Sequence, residues 1–442
     1  MSTITRRQWL AAALAGLAAG SRRPAFAAGE AWLQATAYAI PKENTNQGSG
    51  YFAIVCGKNG RQYIGCAKYG VNAYLVEFTP PSSPPLKGGD KGGVMKTVVD
   101  CHKEIGTDLK GFAAQSKIHT RNNVGASGKI YFATKQGYPE KDKGEKLTDY
   151  PGGYPMVYDP ATGKTKVYPI PVKHHGIISI TPDESRDVAY ISTCDDQRPI
   201  ESTHFMILDL KTGKYRDLLD CQHMYAFIVV DHLGRAYHPI LGGDIARWDP
   251  KTEKLEKLKQ IIDGSPPSKE SLLAHPQSHP INWDATPDGK TLYSVAMSGN
   301  QLFSYDLTQD GNTLAGKALG PLVPGAKSTD CRALCVGPKG VVWAAVTAHH
   351  GKEPSILHLT SYKAGDKAPT CHGPVAIKNP DYTEFKDKDG KPLPWHHGIR
   401  KLADGTTTTN YAILGVSQGL DGSVYALSLA PFTLLQVPEP KG

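Results

Sequence analysis

The sequence lacks the long amphipathic stretches that predict helices. Beyond the first thirty residues, apolar side chains do not recur at i, i+3, i+4 and i+7 over any long segment. It also lacks an apolar run of the roughly 20 residues that a membrane-spanning helix requires, and we therefore expect no stable membrane anchor. Its 442 residues instead include 46 glycines and 33 prolines, which favour short strands joined by many turns. These features predict an all-β globular protein.

Other absences exclude classes of function. No Cys-x-x-Cys-His motif occurs among the eight cysteines, which excludes covalent c-type haem. The six tryptophans show no period, which argues against the tryptophan-rich docking repeats of quinone-dependent dehydrogenases. The formal charge of +8 falls to +4 without the four arginines of residues 1–27, a segment that contains no acid. So small a surplus of positive charge does not favour nucleic-acid binding, and we expect no nucleic-acid partner.

The first 27 residues have the features of a twin-arginine export signal. Arg6 and Arg7 precede a short Ala/Leu/Gly run, and Ala25-Phe26-Ala27 forms a small-x-small cleavage site. An uncleaved anchor is the alternative, but the apolar run is too short to span a bilayer. The sequence therefore predicts a periplasmic or secreted protein, which we expect to be a monomer.

The rest of the chain repeats. A turn followed by a strand with a central aromatic recurs seven times, at Tyr63, Tyr131, Tyr190, Tyr237, Tyr293, Trp343 and Tyr425. Aspartate turns follow several of these strands, as in Tyr158-Asp159-Pro160 and Leu208-Asp209-Leu210. Seven copies of a four-stranded unit predict a seven-bladed β-propeller over residues 31–438. A β-sandwich or a β-helix is the alternative, but neither accounts for the seven-fold recurrence.

A propeller has two ends, and the polar residues of this sequence favour one of them. At one end lie the loops that connect successive blades and the loops between the second and third strands of each blade; we call it the crossing end. The opposite end, with the turns between the first and second strands and between the third and fourth, we call the turn end. Loop position assigns twelve of the sixteen histidines to the crossing end: His102, His119, His174, His175, His223, His238, His275, His279, His349, His350, His396 and His397. Positive charge accompanies them there, at Lys103, Lys117, Arg121, Lys135, Arg198, Arg332 and Arg400. The carboxylates expected at that end are fewer, mainly Glu104, Asp195, Asp196 and Asp330, so the end should attract anions.

The stretch "KIHTRNNVGASGKIYFATKQGY", residues 117–138, illustrates this arrangement. It predicts a strand, a turn at Gly125-Ala126-Ser127-Gly128 and a returning strand, with polar residues crowding both outer ends. Strand alternation predicts that His119 and Arg121 share one face and that Asn122 points to the other.

These features resemble those of seven-bladed polysaccharide lyases: the ulvan lyases, the rhamnose-glucuronate lyases and the oligogalacturonate lyases. The resemblance covers the repeats over residues 31–438 and, locally, "SKIHT" and the region from "HPQSHPINWD" to "DCRALC". It implies cleavage of an anionic, uronate-containing polysaccharide or oligosaccharide by β-elimination. That reaction needs donors or cations on the uronate carboxylate, a base for the neighbouring proton and an acid for the departing oxygen.

Loop position supplies the candidates for these roles. Arg121 or Arg332 would hold the carboxylate, and His119 or His175 would act as the base. The acid would be Tyr225, Tyr237 or Tyr138, although Tyr237 is also the repeat aromatic of its blade. The predicted substrate-binding residues at the same end are Asn122, Lys135, Tyr138, His174, Arg198, His223, His238, His349 and His397.

A zinc site is a further prediction. His275 and His279 flank three residues, Asp284 follows them, and Cys331 begins the inner strand of the next blade. Two imidazoles and a thiolate suit Zn²⁺, and two loop histidines beside a buried thiol are the structural alternative.

Two other functions compete with the lyase. A metal-dependent propeller hydrolase or lactonase would hold its metal with carboxylates at the channel centre, and such residues are scarce at the starts of the inner strands. A noncatalytic module that binds carbohydrate or protein would show an aromatic rim without convergent histidine and arginine.

Overall fold

The computed structural model describes residues 31–46, 53–81, 93–197, 201–223, 227–268, 281–351, 354–379, 398–409, 415–429 and 431–440. Within these ranges the chain is almost entirely β. The first strand is β1 (Leu33–Ala39), which pairs with the last strand of the chain.

Six blades follow in chain order, each an antiparallel sheet of four strands. Blade 1 contains β2 (Ile54–Cys56), β3 (Gln62–Lys68), β4 (Asn72–Thr79) and β5 (Val94–Asp100). A short strand, β6 (Lys117–Ile118), precedes blade 2, which contains β7 (Asn123–Val124), β8 (Ile130–Lys135), β9 (Pro155–Asp159) and β10 (Lys164–Val167). Blade 3 contains β11 (Gly176–Asp183), β12 (Val188–Cys194), β13 (Glu201–Asp209) and β14 (Tyr215–His223).

The next three blades repeat the pattern. Blade 4 contains β15 (Val229–Val230), β16 (Ala236–Pro239), β17 (Ile245–Asp249) and β18 (Lys254–Ile262). Blade 5 contains β19 (Ile281–Ala285), β20 (Thr291–Ala296), β21 (Gln301–Asp306) and β22 (Thr313–Pro321). Blade 6 contains β23 (Ser328–Val336), β24 (Val342–His349), β25 (Ile356–Tyr362) and β26 (Thr370–Ile377), and the hairpin of β27 (Ile399–Lys401) and β28 (Thr407–Thr409) follows it.

The seventh blade closes the ring with both ends of the chain. Its first three strands are β29 (Val416–Gln418), β30 (Val424–Ser428) and β31 (Thr433–Val437), and β1 is its fourth, antiparallel to β31. This shared blade removes the free edges that an open ring would leave. The prediction of an all-β, seven-bladed β-propeller is confirmed.

The seven predicted aromatics mark the second strand of every blade. All seven are at most 3% exposed, and their rings pack against the neighbouring blade. The Tyr63 ring of blade 1 lies 6.1 Å from the Tyr158 ring of blade 2. The Tyr425 ring of blade 7 lies 6.0 Å, edge-on, from the Phe78 ring of blade 1. The apolar core therefore lies between blades, where each aromatic is buried by its neighbour.

Helices contribute little to the described chain. A single α-helix, α1 (Cys101–Ile105), begins after Asp100, whose carboxylate accepts from the Lys103 N–H at 3.1 Å. The 3₁₀ turns are Lys42–Asn44, Gly111–Ala113, Lys141–Lys143, Leu147–Asp149 and Glu184–Arg186. None of the helices in the described ranges is long and apolar enough to span a bilayer.

Candidate functional site

The strand that should align His119 with Arg121 is interrupted. β6 ends at Ile118, and β7 begins only at Asn123. β6 pairs with β3 of blade 1 and with β8 of blade 2, whereas β7 pairs with β8 alone. Residues 119–122 are therefore not a pleated strand, and the alternation expected of them does not apply.

Two buried lysines face each other at the crossing end. Lys117 of β6 and Lys135 of β8 are directly opposite in an antiparallel register, so their side chains leave the sheet on the same face. Lys117 is 1% exposed, and Lys135 is fully buried. The Lys135 ammonium lies 3.2 Å from a carboxylate oxygen of Asp196. We call Lys117 and Lys135 the lysine pair.

A glycine makes room for this arrangement. A Cβ atom built on Gly176, the first residue of blade 3, would lie 2.4 Å from Cγ of Lys135. Any larger residue would displace the buried lysine stem. The close approach of blade 3 to blade 2 at this point thus depends on the absence of a side chain.

Two tyrosines lie over Lys117, one member of the lysine pair. The Lys117 ammonium lies 4.4 Å from the centre of the Tyr138 ring and 5.3 Å from that of Tyr69, within cation–π range. The two rings are 5.7 Å apart. Tyr138 is 45% exposed, so an aromatic surface open to solvent lies directly above buried positive charge.

Three of the histidines predicted for the crossing end differ in burial. His119 is 1% exposed. His175 is half-buried, with its Nδ1 3.1 Å from the Thr193 hydroxyl, and desolvation lowers its pKa. His174 is exposed, takes a positive φ of 66° and places its Nδ1 2.7 Å from the Tyr150 carbonyl. His175 is therefore the predicted base that combines access with a neutral ring.

Arg121 occupies a different place from the one expected of a substrate clamp. Its guanidinium reaches the inner strand of blade 5, where it forms an ion pair with Asp284 at 2.6 Å and donates to the Trp283 carbonyl. Its own N–H donates to the Ile178 carbonyl of blade 3 at 3.2 Å. Arg121 thus joins blades 2, 3 and 5 from within the ring.

The central channel contains a cavity of about 460 Å³ at the turn end. Arg121, Asn122 and Asp284 line it, together with Cys335 at the end of β23 and Gln418 of β29. His119 does not belong to its lining. Sequence reasoning missed this cavity, because only closure of the ring decides which faces of the inner strands enclose space.

The other predicted residues are spread over the remaining blades. Tyr237 belongs to the turn end, where its hydroxyl donates to Asp231 at 2.9 Å, so the structure does not bring it to the lysine pair. Arg332 donates to the Asp330 carboxylate at 2.9 Å, and His349 ends β24 of blade 6. His223 and His238 lie together, fully buried, between blades 3 and 4.

The two described members of the predicted zinc site have other contacts. Asp284 pairs with Arg121 and accepts from the Val336 N–H at 2.8 Å. Cys331 is buried, its thiol lies 3.8 Å from the Ala333 carbonyl, and burial raises its pKa. Across the described ranges, no three His, Cys, Asp or Glu side chains are grouped so as to hold a metal ion.

Several predicted residues lie outside the described residues. They are Arg198, Tyr225, His275, His279, His396 and His397, together with the predicted signal of residues 1–27. The zinc site and the acid role of Tyr225 therefore stay predictions.

Comparisons with known proteins identify the fold. No protein-family model matches the chain, and no curated protein matches its sequence. The β-propeller domain of Swd1 from Myceliophteria thermophila matches 91% of this chain and 99% of its own length, with 10% identity and a TM-score of 0.50. At that identity the likeness concerns the fold alone.

Two further structures are more distant in shape. The extracellular domain of the hybrid two-component system BT3049 from B. thetaiotaomicron matches 91% of this chain at 12% identity and a TM-score of 0.47. This chain spans 41% of that chain's length. A chain of the mitotic checkpoint complex matches 95% of this chain and 99% of its own length, at 10% identity and a TM-score of 0.48.

Proposed function

We propose that the chain is an exported β-propeller that binds an acidic polysaccharide at its crossing end and cleaves it by β-elimination. The observation that carries the proposal is the lysine pair, of which Lys117 lies beneath the exposed Tyr138 ring. Export rests on the predicted signal of residues 1–27, and the reaction rests on the chemistry available around the pair.

Lysines are rarely fully buried, and these two lie directly opposite each other. Like charges directly opposite on neighbouring strands destabilise a sheet, and burial removes the water that would screen them. Asp196 offsets part of this repulsion at Lys135. Such a violation of a local rule is expected where a functional site requires it, and an anionic ligand is the group that two ammonium ions favour.

Tyr138 indicates what kind of anion fits. Its exposed ring offers an apolar platform beside the positive charge. A sugar ring has an apolar face that can stack on tyrosine, and a uronate adds the carboxylate that the lysines attract. Inorganic anions would use the charge without the ring.

The reaction would follow from neighbouring groups. The lysines draw electron density toward the carboxylate, which acidifies the adjacent C–H. His175, neutral because burial lowers its pKa, takes that proton as the carbon–oxygen bond breaks and a carbon–carbon double bond forms. The Tyr138 hydroxyl, or water, donates the proton that the departing oxygen requires.

The test is incubation of the purified protein with a panel of uronate-containing polysaccharides, followed by the ultraviolet absorbance of the unsaturated product. Lys117→Met and Lys135→Met should each lower affinity by at least about tenfold. Lys164→Met is the matched control, because Lys164 is exposed on the outer strand of the same blade.

The outcomes separate binding from cleavage. If a polysaccharide binds through the lysine pair but no double bond forms, the protein is a saccharide-binding propeller and the lyase proposal fails. Equal affinity in the lysine variants and the Lys164→Met control would refute the site itself.

A further inference from the structure

The cavity in the central channel is lined by two buried amide side chains, each with one unpartnered polar group. Asn122 is 2% exposed and Gln418 is 5% exposed, and both line the cavity of about 460 Å³. Within the described part of the chain, Nδ2 of Asn122 and Oε1 of Gln418 form no hydrogen bond. Buried polar atoms are almost always hydrogen-bonded, so two exceptions in the wall of one cavity call for an explanation.

The other group of each amide has a partner. Oδ1 of Asn122 accepts from the Thr120 hydroxyl at 3.2 Å, and Nε2 of Gln418 donates to the Gly422 carbonyl at 3.4 Å. A Cβ atom built on Gly337 would lie 2.0 Å from Oε1 of Gln418, so the missing side chain leaves room for this amide. The two unpartnered groups are therefore of opposite kind, a donor at Asn122 and an acceptor at Gln418.

The cavity has the size and the lining of a small-molecule site. Pockets for such ligands enclose about 300–1,000 Å³ and combine apolar walls with a few placed polar groups. Apolar side chains from blades 1, 2, 6 and 7 contribute to this wall, namely Ile54, Val124, Leu334, Val336 and Val416. Water against such a wall has few partners, and an apolar group that displaces it gains affinity.

The charges of the lining are already paired. The charged residues that line the cavity are Arg121, Asp284 and Lys58. Arg121 and Asp284 form their ion pair at 2.6 Å, and the exposed Lys58 donates to the Ala126 carbonyl at 2.5 Å. A charged ligand would lose its water without gaining an opposite charge, so the cavity favours an uncharged ligand.

The two unpartnered groups define what that ligand carries. It supplies an acceptor for Asn122 and a donor for Gln418. A carbohydrate has many hydroxyl groups, and those that faced the apolar wall would be buried without a partner. A cyclic amide instead carries a carbonyl and an N–H on a largely apolar ring, which matches the lining.

We propose that the central channel binds a small, uncharged cyclic amide. Asn122 donates to the ligand carbonyl, and the ligand N–H donates to Gln418. Lys117, Lys135 and Tyr138 do not line the cavity, so this site is separate from the lysine pair and does not depend on the proposed lyase function.

Two thiols in the cavity wall report its occupancy. Cys56 at the end of β2 and Cys335 on β23 both line the cavity and are both partly exposed. Desolvation raises the pKa of each thiol, so alkylation is slow and its rate can be followed. Cys371, on the outer strand β26 of blade 6, is also partly exposed but does not line the cavity, and it is the control.

The first experiment labels the purified full chain with N-ethylmaleimide in the presence of cyclo(Leu-Pro), a cyclic dipeptide with a single N–H. Peptide mass spectrometry gives the rate at each cysteine. At a concentration of ten Kd, labelling of Cys56 and Cys335 should slow by about tenfold, and that of Cys371 should not change. Cyclo(Pro-Pro) keeps both carbonyls but has no N–H, and it should bind about tenfold more weakly.

The second experiment measures the affinity of variants for cyclo(Leu-Pro) by calorimetry. Asn122→Ala and Gln418→Ala should each lower it by about tenfold. Gly337→Ala should also lower it, because the new methyl group displaces Oε1 of Gln418. Asn300→Ala is the control, since the Asn300 amide lies outside the cavity and bonds to the Val323 backbone in both directions.

The labelling result stands even where a variant does not fold, because it uses the unaltered protein. Unchanged labelling of Cys56 and Cys335 with both cyclo(Leu-Pro) and ε-caprolactam would overturn the proposal. Equal affinity for cyclo(Leu-Pro) and cyclo(Pro-Pro) would also overturn it, because the ligand N–H would then have no role. Protection by the linear dipeptide Leu-Pro, which is charged at both ends, would contradict the selection for an uncharged ligand.

Discussion

The two ends of this propeller are built by different rules. At the turn end, several blades use one solution, in which the hydroxyl of the repeat tyrosine is held by a polar side chain of the nearby turn. Tyr237 donates to Asp231 at 2.9 Å, Tyr425 donates to Asp421 at 3.0 Å, and Tyr63 accepts from Asn59 at 2.9 Å. At the crossing end, the lysine pair links β6 to blade 2, and His223 and His238 meet between blades 3 and 4.

The comparison separates residues that specify the fold from residues available for function. A contact repeated from blade to blade satisfies a need that every blade has, namely to anchor its buried aromatic. A buried lysine or histidine that is not part of the blade-to-blade repeat satisfies no such general need. We therefore expect substitutions in the repeated turn-end contacts to lower stability and crossing-end substitutions to alter binding.

The largest effect is expected at Asp231. Its side chain is fully buried and accepts from Tyr237, from the Arg235 side chain at 2.6 Å and from the backbone N–H groups of Leu233 and Arg235 at 2.9 Å each. Asp231→Ala leaves the Arg235 guanidinium buried without this partner, so the free energy of unfolding should fall by about 3–5 kcal/mol. Urea unfolding followed by circular dichroism measures the change.

Asp310→Ala is the matched control for this prediction. Asp310 pairs with the same Arg235 at 2.8 Å, but its side chain is 88% exposed. Water replaces an exposed partner, and the cost should stay below about 1 kcal/mol. Equal losses of unfolding free energy in the two variants would contradict the view that burial makes the Asp231 contact strongly stabilising.

A smaller loss is expected across the channel. The side chains of Asp284 and Arg121 are both largely buried and form an ion pair. Asp284→Asn removes this ion pair, so the free energy of unfolding measured in urea should fall by about 2 kcal/mol. Because the two residues act together, the double variant with Arg121→Met should cost less than the sum of the single changes. Strict additivity would show that the pair does not join the blades energetically.

Tyr138 tests the crossing end. Tyr138→Ala removes the exposed ring above Lys117, so affinity for the proposed acidic saccharide should fall about tenfold, or about 1.4 kcal/mol. The free energy of unfolding should change by less than about 0.5 kcal/mol. Leu420→Ala is the control, since Leu420 is an exposed apolar residue near the turn end. If Tyr138→Ala lowered the free energy of unfolding but left affinity unchanged, Tyr138 would be a structural residue like those of the turn end.

The smallest effect is expected at the exposed aspartate turns. Hydrogen bonds from backbone N–H groups, of which that of Thr212 contributes most, lower the pKa of Asp209. A carboxylate whose folded pKa is depressed contributes stability above its unfolded pKa of about 3.9 and loses it as the pH falls through the folded pKa. Asp209→Asn should therefore narrow the stability difference between neutral and acidic pH, as measured by thermal unfolding at a series of pH values. An unchanged pH dependence would contradict this assignment.

Much of the fold could be predicted from the sequence because each blade is largely local. Every repeat aromatic falls on the second strand of its blade, as Tyr131 does on β8 and Trp343 on β24. A blade is made by neighbouring strands joined by turns, so the order of turns and aromatics is sufficient to define it. The hairpin of residues 117–138 was predicted less well, because β6 pairs with two blades and the chain leaves the sheet before β7 begins.

The candidate site was predictable in place but not in detail. Loop position places Lys117, Lys135 and Tyr138 at the crossing end. It cannot show that Lys117 lies opposite Lys135 or beneath the Tyr138 ring. It made Arg121 a substrate clamp, whereas the guanidinium pairs with Asp284. Such contacts depend on side-chain packing between blades, which leaves no periodic trace in the sequence.

The sequence by itself determined the number of blades and the strands within them, since hydrophobic alternation and turn chemistry act over a few neighbouring residues. Only the tertiary structure decided that β1 completes the last blade beside β31. It also decided that Arg121 reaches the carbonyl of Trp283, 162 residues away, and that His223 meets His238 between two blades. The physical reason is ring closure, which brings residues into contact at distances along the chain that no local pattern encodes.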